Sequence, residues 1–184
     1  MSKRPVIDRN LVLDAAISVV MDQGISALSI GEVAKAAGIS KGGVQSCFGT
    51  KDGLVEAMVN RWKADYEASV MARLAPDAGV LELLTAQIHI IAIPDEELSK
   101  RAAAILTAMF SQDSLRAQAN DWYRSLLLGG AFESERGKRV RLAFLAATGA
   151  FFLRSFGIME ISEAEWKTFN EDIARLLPAD ASAP

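Results

Sequence analysis

Apolar residues recur along most of the chain at the spacing of an amphipathic helix, and capping residues and glycines divide them into segments. Asp8 stands at the N-cap position of the first segment, Arg9–Gln23, and Gly24 ends it. Ser29 and Glu32 then have the S-x-x-E spacing of a capping box. The pattern therefore predicts one long helix followed by a short one.

Two more helices are predicted at close intervals. Gly38 ends the second segment, and Ser40 can cap a third helix that begins directly after it. Thr50 can cap a fourth helix, whose apolar positions continue to Val70. Pro76, which has no amide hydrogen to donate, then prevents its continuation.

Beyond Pro76 the turn residues are sparser and the predicted helices are longer. Neither an alternating strand pattern nor an internal repeat is present, so the chain is predicted to be all-α, with about nine helices. Breaks are expected at Pro94, at Gly129 with Gly130 and at Gly157, and the closing PADASAP is predicted to be disordered. The later helices are predicted at 77–93, 95–110, 114–128, 133–156 and 163–177.

Composition favours a soluble helical protein. Of 184 residues, 51% are hydrophobic, which suffices for one core or for a small module docked on a larger one. The single cysteine, Cys47, excludes an internal disulfide and a cysteine-based metal site, as in a reducing cytoplasm. The N-terminal MSKRPVIDRN lacks the apolar core of a signal peptide, and the most apolar run, 142–153, is shorter than the roughly 20 residues of a membrane span. We expect a cytoplasmic protein that has no membrane partner, cofactor or metal.

Charge is distributed unevenly along the chain. The formal net charge of -3 argues against a non-specific polyanion binder. A slight basic excess nevertheless lies ahead of Trp62 and begins with Lys3 and Arg4, whereas the remainder is acidic. Any binding to an anionic partner is therefore expected in the front part.

The front part has the internal spacing of a helix-turn-helix. Such a motif needs a small residue where its helices cross, a turn glycine, and apolar residues on both sides of the turn. An ordinary helical hairpin also uses a turn glycine but joins longer helices, so the spacing favours DNA binding. The positions are Val33, Ala34, Ala37, Gly38, Ile39, Val44 and Cys47.

The glycine pair at the start of the third helix is unusual, because each glycine costs about 1 kcal/mol against alanine inside a helix. In a helix-turn-helix the second helix enters the major groove by its N-terminal residues, here Lys41, Gly42 and Gly43. Missing side chains would let backbone amides approach the duplex. Ser40 is both a cap and a candidate phosphate donor.

Two polar residues of the third helix are candidates for reading bases. Gln45 can pair bidentately with adenine through its amide, and Ser46 is a weaker candidate. Either side chain can instead belong to a solvated helix face. Cys47 is interpreted as a small packing residue beside the turn, with a redox-sensitive thiol as the alternative.

The segment LVLDAAISVVMDQGISALSIGEVAKAAGISKGGVQSCFGTKDGLVEAM, residues 11–58, resembles the N-terminal domain of TetR-family transcriptional regulators. The resemblance is carried by the alanine pair of the first helix, the A-x-x-A-G-I-S-K-G core, Phe48 and the lysine after it. It implies that Ser29, Lys41 and Lys51 hold the DNA backbone. The recognition helix departs from the family pattern, since Gly43, Gln45 and Cys47 stand where threonine or alanine and two aromatic residues are common.

The resemblance also implies an organisation into a helix-turn-helix domain, 1–54, and a larger helical domain, 55–184, for ligand binding and dimerisation. His89, flanked by isoleucines, is expected to be buried with a hydrogen-bond partner. Candidates for contact with a small apolar or aromatic effector are Trp62, Tyr66, His89, Met109, Phe110 and Trp122.

Two late helices have apolar faces that fit a four-helix interface between two copies. The eighth helix carries small and aromatic residues all round, which predicts burial of both its faces, and the ninth begins with a capping box and has one apolar stripe. The alternative is a core within one chain. Predicted interface residues are Phe144, Phe151, Phe152, Trp166, Phe169 and Ile173.

Other classes of protein fit the sequence less well. One histidine, one cysteine and no nucleophile or nucleotide-binding motif leave no recognisable catalytic set, so an enzyme is not expected. A helical adaptor that binds protein remains the alternative. We expect a ligand-responsive regulator, acting as a repressor, which binds a two-fold related DNA operator as a homodimer and is released when the effector binds.

Overall fold

The structure is a computed structural model that describes residues 7–93 and 95–178. Outside the described residues lie the N-terminal residues 1–6, the predicted break at Pro94 and residues 179–184 of the predicted disordered tail. Within the described ranges the all-α prediction is confirmed, and each helix lies within one turn of its predicted bounds. The α-helices are α1 Arg9–Gln23, α2 Ile30–Ala36, α3 Lys41–Phe48, α4 Lys51–Met71, α5 Val80–Ile91, α6 Glu96–Phe110, α7 Asp113–Leu127, α8 Glu135–Ser155 and α9 Glu163–Ala174, with 3₁₀ turns at Ile25–Ala27 and Gly130–Phe132.

Side chains cap the helices where the sequence predicted caps. The Oδ1 of Asp8 accepts from the amide of Asn10 at 2.9 Å, which begins α1. In α9 the amide of Glu165 donates to the Oγ of Ser162, and the carboxylate of Glu165 accepts from the Ser162 amide at 2.9 Å, so both halves of the capping box are present. Gly24 ends α1 with a φ of +80°, a left-handed conformation that favours glycine.

Packing divides the chain into two compact units. The first contains the described residues up to Ala64 together with Lys100–Arg116, and the second contains Asp65–Ser99 and the described residues from Ala117 onward. The chain thus passes from one unit to the other within α4, within α6 and again within α7. The domain boundary predicted after Leu54 stays a prediction.

In the first unit α2 contacts both α1 and α3. Its interior is filled by aliphatic side chains at helical spacing, which the sequence pattern already indicated. Burying each such side chain stabilises the fold by about 1.5 to 3 kcal/mol relative to leaving it exposed. Those at most 2% exposed include Val12, Ile17, Val33, Val44, Leu54, Val55, Met58 and Ile105.

In the second unit α8 packs against α5 and α9. Leu84 and Ile88 of α5 form one cluster with Phe144 and Ala147 of α8 and with residues from α7 and α9. The indole nitrogen of Trp166 donates to the carbonyl of Ala92 at 3.2 Å, which ties the start of α9 to the end of α5.

In the single chain one face of α8 is exposed, and its predicted burial against a second copy stays a prediction. Leu142, Leu145 and Leu153 are 58%, 48% and 39% exposed. They share one face of the helix because they are spaced by three and by eight residues, near whole numbers of helical turns. Among the described residues no helix is both long and apolar enough to cross a membrane.

Three predicted interface residues belong to the core of the chain instead. Phe144, Trp166 and Ile173 are 2%, 3% and 7% exposed, because the inner stripes of α8 and α9 close on α5. Phe151, Phe152 and Phe169 are half-buried, and the Phe151 and Phe152 rings meet edge to face at 6.1 Å. The predicted role of Phe151, Phe152 and Phe169 in an interface between two copies stays a prediction.

Candidate nucleic-acid interface

The turn between α2 and α3 is fixed by a glycine and a serine. Gly38 has a φ of +66°, and its left-handed conformation reverses the chain after α2. The Oγ of Ser40 then accepts from the amide of Gly43 at 3.1 Å and begins α3. The predicted cap is confirmed, and it sets the direction in which the first turn of α3 projects.

The inner face of α3 is buried, whereas its outer face is free to meet a partner. Val44 is 0% exposed and Phe48 is 8% exposed, which anchors the helix to the first unit. Lys41, Gln45 and Ser46 are exposed. Helical spacing thus separates the anchoring residues from the predicted reading residues.

The Oγ of Ser46 donates to the carbonyl of Gly43 at 2.8 Å. Its hydroxyl proton is therefore used within α3, and the Ser46 oxygen is left to act as an acceptor. Gln45 is exposed on the outer face of the helix, so its side-chain amide can offer both a donor and an acceptor. Of the two residues, Gln45 is better placed for bidentate contact with a base.

The two adjacent glycines have different surroundings. A Cβ built on Gly42 meets no atom within 4 Å, so the bare position faces open space. A Cβ on Gly43 would lie 2.9 Å from the Cδ1 of Ile7 and 3.3 Å from the Oγ of Ser40. The absent side chain of Gly43 therefore makes room for Ile7, a packing role that the sequence did not reveal. The explanation by close approach to DNA remains for Gly42.

The amides at the start of α3 also differ. Gly43 donates to Ser40 within the cap, whereas the amides of Lys41 and Gly42 belong to the group without an intrahelical acceptor. Together with the positive end of the helix dipole, these two amides can bind a phosphate oxygen.

The residues implied to hold the DNA backbone lie at the starts of three helices. Ser29 caps α2, its Oγ accepting from the Glu32 amide at 3.2 Å, and the exposed Lys51 opens α4. The stem of Lys41 passes close to Gly31 at the start of α2, where a Cβ would lie 3.0 Å from the Cε of Lys41. Lysine side chains at helix starts add their charge to the partial positive charge that the helix dipole places at the same end.

A second glycine, Gly53, allows α3 and α4 to meet closely. A Cβ on Gly53 would lie 2.4 Å from the carbonyl oxygen of Phe48, which no side chain tolerates. Thr50 caps α4 as predicted, its Oγ1 accepting from the Gly53 amide at 3.1 Å. The start of α4 is thereby held against the end of α3, and Lys51 with it.

Arg9 of α1 closes the end of α3. Its guanidinium donates to the carbonyl of Cys47 and lies 4.5 Å from the centroid of the Phe48 ring. A cation at the C-terminal end of a helix is stabilising, because it compensates the partial negative charge of the helix dipole at that end. Cys47 is half-buried at this contact, in keeping with its interpretation as a packing residue.

Behind the interface, one carboxylate joins three helices of the first unit. Asp14 of α1 accepts from Arg61 of α4 at 2.7 Å and from Arg101 of α6 at 2.5 Å, and Arg61 also donates to the carbonyl of Asn10 at 3.0 Å. Partial burial would raise the pKa of Asp14, but the hydrogen bonds and charges of Arg101 and Arg61 outweigh it and hold this pKa below its usual value. This network was not predicted, because its members are far apart along the chain.

The predicted effector residues fall in both units. Trp62, Met109 and Phe110 belong to the first unit, where Met109 is buried and Phe110 is exposed. Tyr66, His89 and Trp122 belong to the second.

The prediction of a buried His89 is wrong, since His89 is exposed. Leu84 and Ile88 direct the apolar stripe of α5 inward, and a residue adjacent to Ile88 is turned by about 100° along the helix. The buried polar residues of α5 are Thr85 and Gln87, at 8% and 2% exposure.

A small polar cluster lies inside the second unit. The hydroxyl of Tyr66 donates to the Oε1 of Gln87 at 3.3 Å, and the ring of Tyr123 meets that of Trp122 edge to face at 4.7 Å. Burial raises the pKa of both tyrosines, and proximity to Tyr123 raises that of Tyr66 further. Of the predicted effector residues, Tyr66 is thus brought to a buried hydrogen-bonding group.

A separate concavity of about 410 Å³ lies where α4 ends and α5 begins. None of the predicted effector residues lines it. Its apolar lining consists of Met71, Leu74, Ala75, Pro76, Ala78, Gly79, Val80 and Leu83.

A short capped helix that is anchored on one face and polar on the other, preceded by a glycine turn and a second short helix, defines a helix-turn-helix DNA-binding protein. Two family models match the chain: that of bacterial regulatory proteins of the tetR family over residues 12–58, and that of the tetracyclin repressor-like C-terminal domain over residues 82–178. The chain belongs to the TetR family of transcriptional regulators, as its N-terminal segment predicted.

Curated relatives include two regulators named BetI. The regulator from Rhizobium meliloti is 29% identical over 122 residues, which cover 66% of this chain and 58% of the relative. The one from Cronobacter sakazakii is 36% identical over 70 residues, which cover 38% of this chain and 35% of the relative. The chain therefore spans only about a third to three fifths of these relatives.

Solved structures share the fold over nearly the whole chain. The multidrug binding protein EbrR complexed with malachite green has a TM-score of 0.68 at 22% identity, covering 95% of this chain and 100% of that one. A TetR-like transcriptional regulator from Rhodococcus sp. RHA1 has a TM-score of 0.68 at 19% identity, with 95% and 96% covered. The N-terminal helix-turn-helix and the helical C-terminal part are thus arranged along the chain as in other members of the family.

Proposed function

We propose that the chain is a ligand-responsive repressor that binds a two-fold related operator as a homodimer and leaves the DNA when a small, largely apolar molecule binds its second unit. The proposal is carried by the N-terminal half of α3. There Lys41, Gly42 and Gln45 are exposed on a helix that Val44 and Phe48 anchor. A lysine ammonium and an unshielded backbone amide can contact phosphates, and a glutamine amide can contact a base edge.

DNA binding is tested by fluorescence anisotropy with an operator duplex that the wild-type chain itself selects from a random library. Neutralising phosphates releases counterions, so affinity should fall steeply as salt rises. Replacing Lys51 by alanine should weaken binding on all duplexes alike, whereas the matched control Lys35→Ala, an exposed lysine of α2 in a 3.9 Å pair with Glu32, should not. Affinity that is independent of salt, or failure to select any duplex, would favour the protein-binding adaptor instead.

The homodimer is supported by the exposed line of leucines on α8. Leu142, Leu145 and Leu153 flank Gly149, whose ideal Cβ meets no atom within 4 Å, so a second helix can approach closely along this line. Contiguous exposed apolar side chains mark interaction surfaces, and a closed pair of copies matches a two-fold operator. Leu145→Glu should convert the dimer to a monomer in light scattering, whereas Leu128→Glu, an exposed leucine after α7, should not.

The effector proposal rests on the cluster of Tyr66, Gln87 and Tyr123. A buried amide and two phenols among apolar side chains fit an aromatic or aliphatic molecule that carries one hydrogen-bonding group. Malachite green, bound by the structural neighbour EbrR, serves as the first probe. Binding of the dye should release the DNA. Gln87→Leu should lower the affinity for the dye while leaving the affinity for DNA unchanged. Dye binding that Gln87→Leu leaves intact would move the effector site elsewhere.

A further inference from the structure

Arg9, the first residue of α1, is held at the C-terminal end of α3. Its guanidinium donates to the backbone carbonyl of Cys47 and lies 4.5 Å from the centroid of the Phe48 ring. Arg9 is nevertheless exposed. A guanidinium carries five N–H donors, so most of them are left after the bond to Cys47. Arg9 is thus held in place by α3 while it keeps donors for a further partner.

The charge of Arg9 is not neutralised by any carboxylate that the structure describes. Every other described arginine of the first unit forms an ion pair: Arg61 and Arg101 with Asp14, and Arg116 with Asp113. Asp8 is adjacent along the chain, but its carboxylate accepts from the Asn10 amide at the N-cap of α1. Arg9 therefore offers its charge to a partner from outside this unit.

Arg9 extends a line of cations along α3. Lys41 lies in the first turn of this helix, Arg9 contacts its last turn, and Lys51 follows Phe48 by three residues at the start of α4. The eight residues of α3 span about 12 Å, and the major groove of B-DNA is also about 12 Å wide. Cations at both ends of such a helix can reach the phosphates that border the groove.

We propose that Arg9 binds a backbone phosphate of the half-site that α3 contacts, at the end of α3 opposite Lys41. The inference rests on the DNA binding proposed for α3 and adds to it a contact from α1. The remaining N–H groups of Arg9 form charge-assisted hydrogen bonds with the phosphate oxygens.

The position of Arg9 favours this contact in two ways. The last turn of a helix exposes carbonyl oxygens, which repel a phosphate, and Arg9 places a positive charge on one of them, that of Cys47. The Phe48 ring and the Cys47 carbonyl also order the guanidinium before DNA binds, so less side-chain freedom is lost on binding.

The test compares the full-length wild type with Arg9→Gln on the selected operator duplex. Glutamine is neutral but can still donate to the Cys47 carbonyl. Each lost phosphate contact flattens the plot of log affinity against log salt by about 0.9, or by about 1.8 for two bound protomers. Between 50 and 200 mM salt, the wild-type dimer should therefore lose about twelvefold more affinity than the variant.

Three further variants separate charge from packing. Arg9→Lys keeps the cation without the planar fork, so it should keep the wild-type slope even where its affinity is lower. Arg9→Met, a second neutral variant that keeps an apolar stem, should be as flat as Arg9→Gln. The matched control Arg124→Gln neutralises an exposed arginine of α7 and should keep the wild-type slope. Circular dichroism at the assay temperature checks that each variant is folded.

The possible outcomes separate the inference from the proposed function. A wild type that selects no duplex overturns both. A steep wild-type slope that both neutral variants retain overturns the phosphate contact of Arg9 alone, even if their affinity falls, because the loss is then one of packing. A slope that Arg9→Lys flattens as much as Arg9→Gln, or that Arg124→Gln flattens equally, also overturns it. Flattening by the neutral Arg9 variants alone supports it.

Discussion

Replacing Gly42 by alanine should have opposite effects on folding and on DNA binding. Gly42 lies in α3, and a Cβ there meets no atom within 4 Å, so alanine enters without a clash. Alanine is favoured over glycine in a helix interior by about 1 kcal/mol, and somewhat less in a first turn. The variant should therefore unfold at the same or a slightly higher temperature than the wild type.

DNA affinity should fall in the same variant if the backbone of Gly42 approaches the duplex. An amide that donates to a charged phosphate contributes about 1.5 to 3 kcal/mol. Its loss corresponds to about 10- to 150-fold weaker binding, since each 1.4 kcal/mol is a factor of ten. Gly42→Val, which places more bulk at the same point, should weaken binding at least as much.

The assay pairs thermal unfolding with fluorescence anisotropy on the operator duplex. Ser18→Ala, at an exposed position inside α1, is the control, because it raises helix propensity by a few tenths of a kcal/mol without touching α3. Wild-type affinity in both Gly42 variants would refute the close-approach explanation. A drop in both stability and affinity would indicate that the first turn is packed, contrary to the open space at Gly42.

Three further changes have defined outcomes. Gln45→Ala should relax preference at one base position by about 1 to 3 kcal/mol in a binding-site selection; equal loss on all duplexes would count against direct readout. Gly53→Ala should destabilise the fold by about 1 to 3 kcal/mol in urea denaturation, because its Cβ meets the carbonyl of Phe48, and wild-type stability would contradict that contact. Asp14→Asn should lower stability by about 1 kcal/mol at neutral pH, a figure reduced because the carboxylate is 48% exposed. Because the pKa of Asp14 is lower in the folded chain, its carboxylate stabilises the fold above the unfolded pKa near 3.9, and this stabilisation is lost as pH falls through the folded pKa. A stability deficit of Asp14→Asn that does not shrink as pH is lowered from neutral would refute this account.

Local features of the fold were predictable from the sequence because they depend on neighbours along the chain. The caps Asp8, Ser40 and Ser162 and the turn glycine Gly38 act within a few residues, so capping chemistry alone located the helix ends. The resemblance over 11–58 added the position of α3 and the family. For α3, helical periodicity was enough to separate the buried from the exposed face.

Long-range contacts could not be predicted in this way. The pairing of Ile7 with Gly43 and the bridging of Arg61 and Arg101 by Asp14 join residues that only the folded chain brings together. His89 was misplaced because a histidine among isoleucines on α5 resembles a core residue, although Ile88 is buried and His89 next to it is exposed. A shift of one residue turns a side chain by about 100° around the helix, which is enough to move it from the core to the surface.

The sparse charge of the proposed DNA-binding surface makes the number of phosphate contacts the most informative quantity to measure. Lys41 and Lys51 supply two cations per protomer, and no tyrosine hydroxyl is available where Cys47 stands. A dimer that used only these lysines would have a salt slope of about -3.6. A chain with a net charge of -3 must overcome its own repulsion for DNA, so a steeper measured slope would imply further cations at the contact itself. A wild-type slope near -3.6 would mean that backbone amides and Gln45, rather than further cations, supply the remaining affinity.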